Sequence, residues 1–407
     1  MLTARIYASQ GPLLSAVIGC LMVMKSALTP AIAQSLQPVD LKEAINEGVT
    51  GINFFYLDGR DQEGLPQLMQ KLALGDSACK GTREGINKRF HATLTELKSA
   101  GYNWVRVLVG QGFYQIYSSR CNIPMSQVYP VLSPNQAAIL NTLLEGITGY
   151  GFTLELVLGG SAKFSDTQGD IRFFESILTQ IDLSNVGLVM LGGDVQPTRS
   201  KKHKDWLLML YRHFTQHTSP ELRQLNYSFD TVTYPQIAHF ESYLKWVKQS
   251  MPSLPVVSIN LYNRSLPAGA KWYQYYEAIQ PYLKAYDSSG LTQSPWIDEY
   301  GFRLSNPPEQ THFTEDDQLA YVKGLTYAIY CNSTTPIPAF IWTAGNDRYL
   351  ADPSRDLERT PYGLFRSYAN NTPVPTKAFN WIKEFHTDTS ACKALEQEFD
   401  TARATHQ

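Results

Sequence analysis

Short apolar runs rich in β-branched and aromatic residues alternate along this chain with stretches of helical periodicity. Eight such runs follow one another, and each is expected to form a strand. They are Gly51–Leu57, Asn103–Val109, Phe152–Leu158, Val186–Leu191, Asn226–Val232, Pro255–Tyr262, Pro295–Phe302 and Pro338–Thr343. Strict alternation of nearly continuous apolar strands with helices predicts a parallel sheet covered by helices.

Eight strand–helix units span residues 51–385, a length that fits an α/β fold of the (β/α)8 TIM-barrel type with long βα loops. The alternative is a doubly wound open sheet, which lacks support because no glycine-rich phosphate loop follows the first strand. The predicted organisation places an N-terminal linker at 34–50 and a C-terminal tail at 386–407.

The amino terminus has the pattern of a secretory signal peptide over residues 1–33. Arg5 supplies a positive charge, an apolar run covers Pro12–Met24, and Ala31-Ile32-Ala33 is a small-x-small cleavage site. We therefore expect a secreted or periplasmic protein with no membrane attachment after cleavage. An uncleaved anchor is the open alternative, and a lipoprotein signal at Cys20 ranks below simple cleavage.

Cleavage at this site would leave four cysteines, an even number that suggests two disulfides in an exported chain. In a barrel, Cys79 and Cys121 lie in βα loops on the catalytic face. Cys331 and Cys392 follow helices on the opposite face. A bridge cannot span the height of the barrel, so the predicted pairs are Cys79–Cys121 and Cys331–Cys392.

The charge balance excludes one class of partner. The chain has 35 Lys and Arg against 37 Asp and Glu, a formal net charge of −2, so it lacks the basic surplus that nucleic-acid binding needs. Charged residues are only 18% and aromatic residues reach 12% of the chain, which suits a surface for neutral ligands such as sugars. No metal site and no organic cofactor are indicated.

Two adjacent acids, Asp298 and Glu299, end the seventh predicted strand. The carboxyl ends of the strands form the catalytic face of a barrel. Because side chains alternate along a strand, only one of the two acids is expected to line the site. Glu155, within the third strand, is expected to have a hydrogen-bonded structural role.

Glu299-Tyr300-Gly301 resembles the E-x-G sequence that carries the nucleophile of clan A glycoside hydrolases, a group of retaining (β/α)8 enzymes that includes many cellulases, xylanases and xylosidases. The segment around Arg106 resembles their second strand, where an Arg supports the nucleophile. Tyr262 matches the aromatic residue of strand six that hydrogen-bonds the nucleophile. Trp342 matches the Trp after strand eight that floors the sugar site. The resemblance covers most of the mature chain.

The chain departs from this pattern after strand four. These enzymes carry Asn-Glu there, with the Glu as general acid/base, whereas this chain has Gly193-Asp194. Asp is one methylene shorter than Glu, and retaining chemistry needs the two carboxyl groups about 5–5.5 Å apart. Asp194 is the predicted acid/base, and Asp230 on strand five is the alternative acid or a ligand of a sugar hydroxyl.

The sequence therefore predicts an exported glycoside hydrolase that cleaves a β-linked poly- or oligosaccharide with two carboxylates. Glu299 and Asp194 are the expected catalytic residues. Arg106, Tyr262 and Trp342 are the expected substrate-site residues. The alternative is a non-catalytic carbohydrate-binding protein on the same barrel, and the loss of the Asn-Glu pair favours it.

Overall fold

The computed structural model describes the greater part of the chain from residue 38 onward. The described residues are 38–53, 55–58, 61–64, 83–110, 134–159, 166–192, 195, 197–198, 200–231, 234, 236–262, 266–302, 313–333, 337–341, 363–370, 372–388 and 390–404. The predicted signal peptide and Cys20 lie outside them. Among the described helices, none combines the length and apolarity that a membrane span requires.

Eight strands form the barrel sheet, and they correspond in order to the eight predicted runs. They are β1 Thr50–Asn53, β2 Trp104–Gly110, β3 Thr153–Gly159, β4 Val186–Leu191, β5 Tyr227–Ser228, β6 Val256–Leu261, β7 Ser294–Tyr300 and β8 Ala339–Ile341. Two antiparallel hairpins lie apart from this sheet, at Phe55–Asp58 with Asp61–Gly64 and at Phe365–Ala369 with Thr372–Pro375.

Ten α-helices accompany the strands in the described part of the chain. They are α1 Leu41–Glu47, α2 Arg83–Ser99, α3 Pro134–Thr148, α4 Thr167–Leu178, α5 Lys201–Arg212, α6 Ile237–Ser250, α7 Trp272–Ser288, α8 Glu315–Thr326, α9 Lys377–Thr387 and α10 Ala391–Ala404. Helices α5 and α8 each continue into a π-helical turn, at His213–His217 and Tyr327–Cys331.

The strands are all parallel, in the order β5-β4-β3-β2-β1-β8-β7-β6. The two outermost strands, β5 and β6, approach each other, and the Ser228 hydroxyl on β5 donates to the Val256 carbonyl on β6 at 2.9 Å. The sheet is therefore a nearly closed barrel, and the predicted (β/α)8 fold is confirmed.

Large rings fill the lower half of the barrel. Trp104, Trp296 and Phe340 pack edge-on or tilted, with centroids 5.4–6.4 Å apart. Two glycines make room for these rings. A Cβ at Gly51 would overlap the ring of Phe340, and a Cβ at Gly187 would overlap the ring of Trp104. This apolar layer supports the polar layer above it.

Both ends of the chain outside the predicted barrel contain helices. Helix α1 lies within the segment expected as a linker, and its Leu41 and Ile45 join Val49 and the barrel rings in one core cluster. Helix α10 lies within the expected tail. It is tied to the π-helical turn after α8 by the predicted Cys331–Cys392 disulfide, which is present with a Cα–Cα distance of 5.3 Å.

Candidate active site

Arg106 is the centre of a buried polar cluster in the upper half of the barrel. It points inward from β2, one alternation above Trp104, and its side chain is 1% exposed. Nε donates to Glu155 Oε1 at 2.8 Å, Nη1 to Glu299 Oε1 at 2.6 Å, and Nη2 to Asp230 Oδ2 at 2.7 Å. One guanidinium thus binds carboxylates from three different strands or strand ends.

Glu299 lies nearest to the mouth among the acids that Arg106 binds. Its side chain is 9% exposed, against 0% for Glu155 and 3% for Asp230. The hydroxyl of Tyr262, just after β6, donates to Glu299 Oε2 at 2.9 Å. Each carboxylate oxygen therefore has a donor of its own, which fixes the orientation of the group. The structure brings together Arg106, Tyr262 and Glu299 as the sequence led us to expect.

An irregular register in β7 explains how Glu299 reaches the interior. Two steps along β8, from Ala339 to Ile341, pair with three steps along β7, from Ile297 to Tyr300. On the other side of β7, two steps along β6 likewise pair with three, from Trp296 to Glu299. Trp296 points inward, so strict alternation would turn Glu299 outward. The extra residue lets Asp298 and Glu299 both lie in the cluster. The strict alternation behind the expectation that only one acid lines the site does not hold at this irregularity, and which acid lines the site stays a prediction.

Burial and charge determine the protonation of the cluster. Burial raises the pKa of Glu155 to about 7, although Arg106 and the Trp296 indole oppose the shift. The indole Nε1 donates to Glu155 Oε2 at 2.6 Å. Burial disfavours the charge of Arg106, but the surrounding carboxylates outweigh it and raise its pKa well above the ordinary value. Glu155 is fully buried and hydrogen-bonded to Arg106 and Trp296 as expected, and its structural role stays a prediction.

Asn53 is a member of the cluster that the sequence analysis missed. It ends β1, its Oδ1 accepts from Arg106 Nη1, and its Nδ2 donates to the carbonyls of Asp298 and Ile341. It thereby ties β1 to both β7 and β8. The available signal was a polar residue ending an apolar strand at the carboxyl face.

The turn after β4 is fixed on both sides of residues 193–194. Gly192 has a φ of +85°, and its N–H donates to the Leu158 carbonyl at 2.8 Å. Val195 bridges Thr231, and its N–H donates to the Asp230 carbonyl at 3.3 Å. Asp194 itself lies outside the described residues, as do Gly193, Trp342 and the predicted Cys79–Cys121 pair.

Metal coordination has no candidate site in the parts of the chain that the structure describes, where no group of His, Cys, Asp and Glu side chains is arranged to hold an ion. The Arg106 guanidinium supplies positive charge to three carboxylates of the cluster, those of Glu155, Asp230 and Glu299. The distinctive feature of the site is the Glu299 carboxylate near the barrel mouth, held by hydrogen bonds to both of its oxygens.

No protein-family model matches this sequence, and no curated protein is similar to it. Solved structures are similar in fold. The β-D-glucuronidase of Dictyoglomus thermophilum superposes with a TM-score of 0.50 at 11% identity, over 76% of this chain and 48% of that one. The β-glucuronidase of an uncultured Clostridium species gives 0.49 at 14%, over 75% and 47%.

A third structure is an active-site mutant of the Rhizomucor miehei β-1,3-glucanosyltransferase in complex with laminaritriose. It gives a TM-score of 0.46 at 14% identity, over 81% of this chain and 99% of that one. The chain spans about half the length of the two glucuronidases. At such identities the likeness shows the fold alone, a parallel (β/α)8 barrel.

Proposed function

We propose that this protein is an exported glycoside hydrolase that cleaves O-glycosidic bonds of a β-linked poly- or oligosaccharide. One observation carries the proposal. Glu299 stands at the carboxyl end of β7, held by Arg106 on one oxygen and Tyr262 on the other, at the edge of the cluster nearest the mouth. A carboxylate held in one orientation at this position suits attack on an anomeric carbon.

Glu299 is the proposed nucleophile and Asp194 the proposed acid/base. In a retaining cycle, Glu299 forms a bond to the anomeric carbon while Asp194 protonates the departing glycosidic oxygen. Water then attacks the glycosyl-enzyme, gives its proton to Asp194 and releases Glu299. The hydrogen bonds from Arg106 and Tyr262 hold Glu299 in one orientation, so little reorganisation is needed when it attacks.

The turn after β4 supports the assignment of Asp194. Gly192 and Val195 are tied to β3 and to the Asp230 backbone, so the chain before and after Asp194 is anchored to the barrel. Asp230 is unsuited as the alternative acid because its Oδ2 accepts from Arg106 deep in the cluster. Trp342, which follows β8, is the proposed floor of the sugar site.

Export is part of the proposal. The signal-like residues 1–33 support it, and the Cys331–Cys392 disulfide is typical of an oxidising compartment.

The test is hydrolysis of a panel of aryl β-glycosides and polysaccharides by the chain from Gln34 onward. Wild type and Glu299→Gln are compared at equal concentration. We expect wild-type turnover, reduced on the order of a thousandfold or more in Glu299→Gln. If neither protein turns over any member of the panel while both bind a glycan, the chain is a carbohydrate-binding protein and the proposal fails.

A further inference from the structure

Asp298 is a buried acid with no part in the mechanism proposed above. It lies in β7 directly before Glu299, and its residue is fully buried. The charged or titratable groups that face it are Arg106, Glu155 and Asp230 inside the barrel, together with Tyr243 from α6. Three of the groups around it, with Glu299 included, are carboxyls.

Four of the five N–H donors of Arg106 are directed at groups other than Asp298. Nε binds Glu155, Nη1 binds Asn53 and Glu299, and Nη2 binds Asp230. Within the described part of the chain, neither oxygen of Asp298 accepts a hydrogen bond of normal geometry, although the Ser258 hydroxyl is close enough to favour its charge slightly. Among the described residues, Asp298 is thus a fully buried carboxyl with no ion-pair partner within reach.

The charge balance of the cluster also favours a protonated carboxyl group. Four carboxyl groups share the single guanidinium of Arg106, so full ionisation would leave three uncompensated negative charges in the barrel interior. An unpaired buried carboxylate costs several kcal/mol and takes up a proton instead. Asp298 is the acid without an ion pair or a hydrogen-bond donor of normal geometry among the described residues. It is therefore the carboxyl group of the cluster that most strongly favours its protonated form.

We propose that Asp298 is a neutral carboxylic acid in the folded protein at neutral pH, and that it acts as a positioning residue for Glu299. Burial raises the pKa of Asp298 well above its ordinary value, and the charges of Glu155 and Asp230 raise it further. A neutral Asp298 does not compete for Arg106, so Nη1 stays on Glu299. It also adds no negative charge beside the proposed nucleophile, where such a charge would favour protonation.

Infrared spectroscopy of protein with ¹³C-labelled aspartate carboxyls tests the protonation directly. At pH about 7, where ordinary aspartates are ionised, we expect the carbonyl band of a protonated aspartate in wild type. The band should vanish in Asp298→Asn and persist in Asp205→Asn, which removes an exposed aspartate on α5. Absence of the band from wild type overturns the proposal, and this needs no variant to fold.

The positioning role rests on the proposed hydrolase function and is read from the pH profile of kcat/KM. If Asp298 is neutral, Asp298→Asn moves the acidic limb, which reports ionisation of the nucleophile, by less than about half a pH unit. A shift of about one unit or more to lower pH would mean that a charged Asp298 had been removed. A chain without hydrolase activity would refute the function, while the infrared band would still decide the protonation state.

Discussion

Arg106 is the residue on which the polar cluster depends. Replacing it with Met keeps much of the volume but leaves Glu155, Asp230 and Glu299 without their cation. We expect Arg106→Met to lose about 3–5 kcal/mol of unfolding free energy, because buried carboxylates would remain uncompensated. Urea denaturation measures this, with Arg212→Met at an exposed helix end as the control. Equal losses in the two variants would contradict the account.

The Tyr262 hydroxyl donates a hydrogen bond to Oε2 of the Glu299 carboxylate. Removing a hydrogen bond to a charged group costs about 1.5–3 kcal/mol, so Tyr262→Phe should lower kcat about 10- to 100-fold. Thermal unfolding should change little in the same variant. A kcat equal to that of wild type would show that Tyr262 does not orient Glu299 in the reaction.

At this scale, the sequence predicted the residues that belong to local motifs. Arg106 and Glu299 lie in recognisable strands and Tyr262 directly follows one, and the structure joins the three side chains by hydrogen bonds. The roles of Asn53 and Asp298 could not be predicted from the sequence, because they depend on long-range contacts and on strand register. The role of Asn53 depends on contacts to residues some 245 and 288 positions away, and the inward turn of Asp298 with Glu299 depends on a register irregularity.

The turn that ends β4 is the element that carries the proposed acid/base. A Cβ on Gly192 would come within 2.8 Å of Trp206 and Val195, at a φ of +85°. We expect Gly192→Ala to lose about 2–4 kcal/mol of stability and most of the activity, from backbone strain and overlap together. Gly269→Ala is the matched control, since Gly269 has a φ of +80° with open space around it. Denaturation midpoints and kcat for both variants separate the overlap from the strain.

Helix α10 is held to the barrel by a covalent bond and by aromatic packing. The disulfide closes a separation of 61 residues, and Phe399 packs against Trp272, Tyr276 and Tyr327. We expect the double variant Cys331→Ser/Cys392→Ser to lose about 2–4 kcal/mol of stability. Hydrogen exchange should accelerate in α10 before it does in the barrel. Unchanged exchange in α10 would mean that the aromatic packing alone holds the helix.

The sequence predicted elements well where hydrophobic periodicity determines them. Strand β4 matches its predicted bounds, Val186–Leu191. Strand β5 covers only Tyr227–Ser228, fewer residues than predicted. It is an outermost strand of the sheet, and its contact with β6 is a side-chain hydrogen bond from Ser228 rather than backbone strand pairing. Helix α1 went unpredicted because it has only seven residues, and α10 because its many charged residues obscure the apolar pattern. Both helices also pack against the barrel.

The whole molecule should have a pH-dependent stability that arises in the barrel interior. Glu155 has an ordinary pKa near 4.5 when exposed, raised to about 7 in the fold. Its contribution to stability is therefore fully present below pH 4.5 and is lost as the pH rises through about 7. The free energy of unfolding should fall more steeply across this window in wild type than in Glu155→Gln, which cannot titrate. An equal slope in the two proteins would contradict the raised pKa.

The central claim is that Glu299 is the nucleophile of a glycosidase. The most direct test removes its side chain and supplies another nucleophile. Glu299→Ala is assayed on the best aryl β-glycoside of the panel, with and without sodium azide. We predict negligible turnover alone and restored turnover with azide, which attacks the anomeric carbon in place of the carboxylate and yields the glycosyl azide of inverted configuration. Wild-type rates in Glu299→Ala without azide would contradict the account.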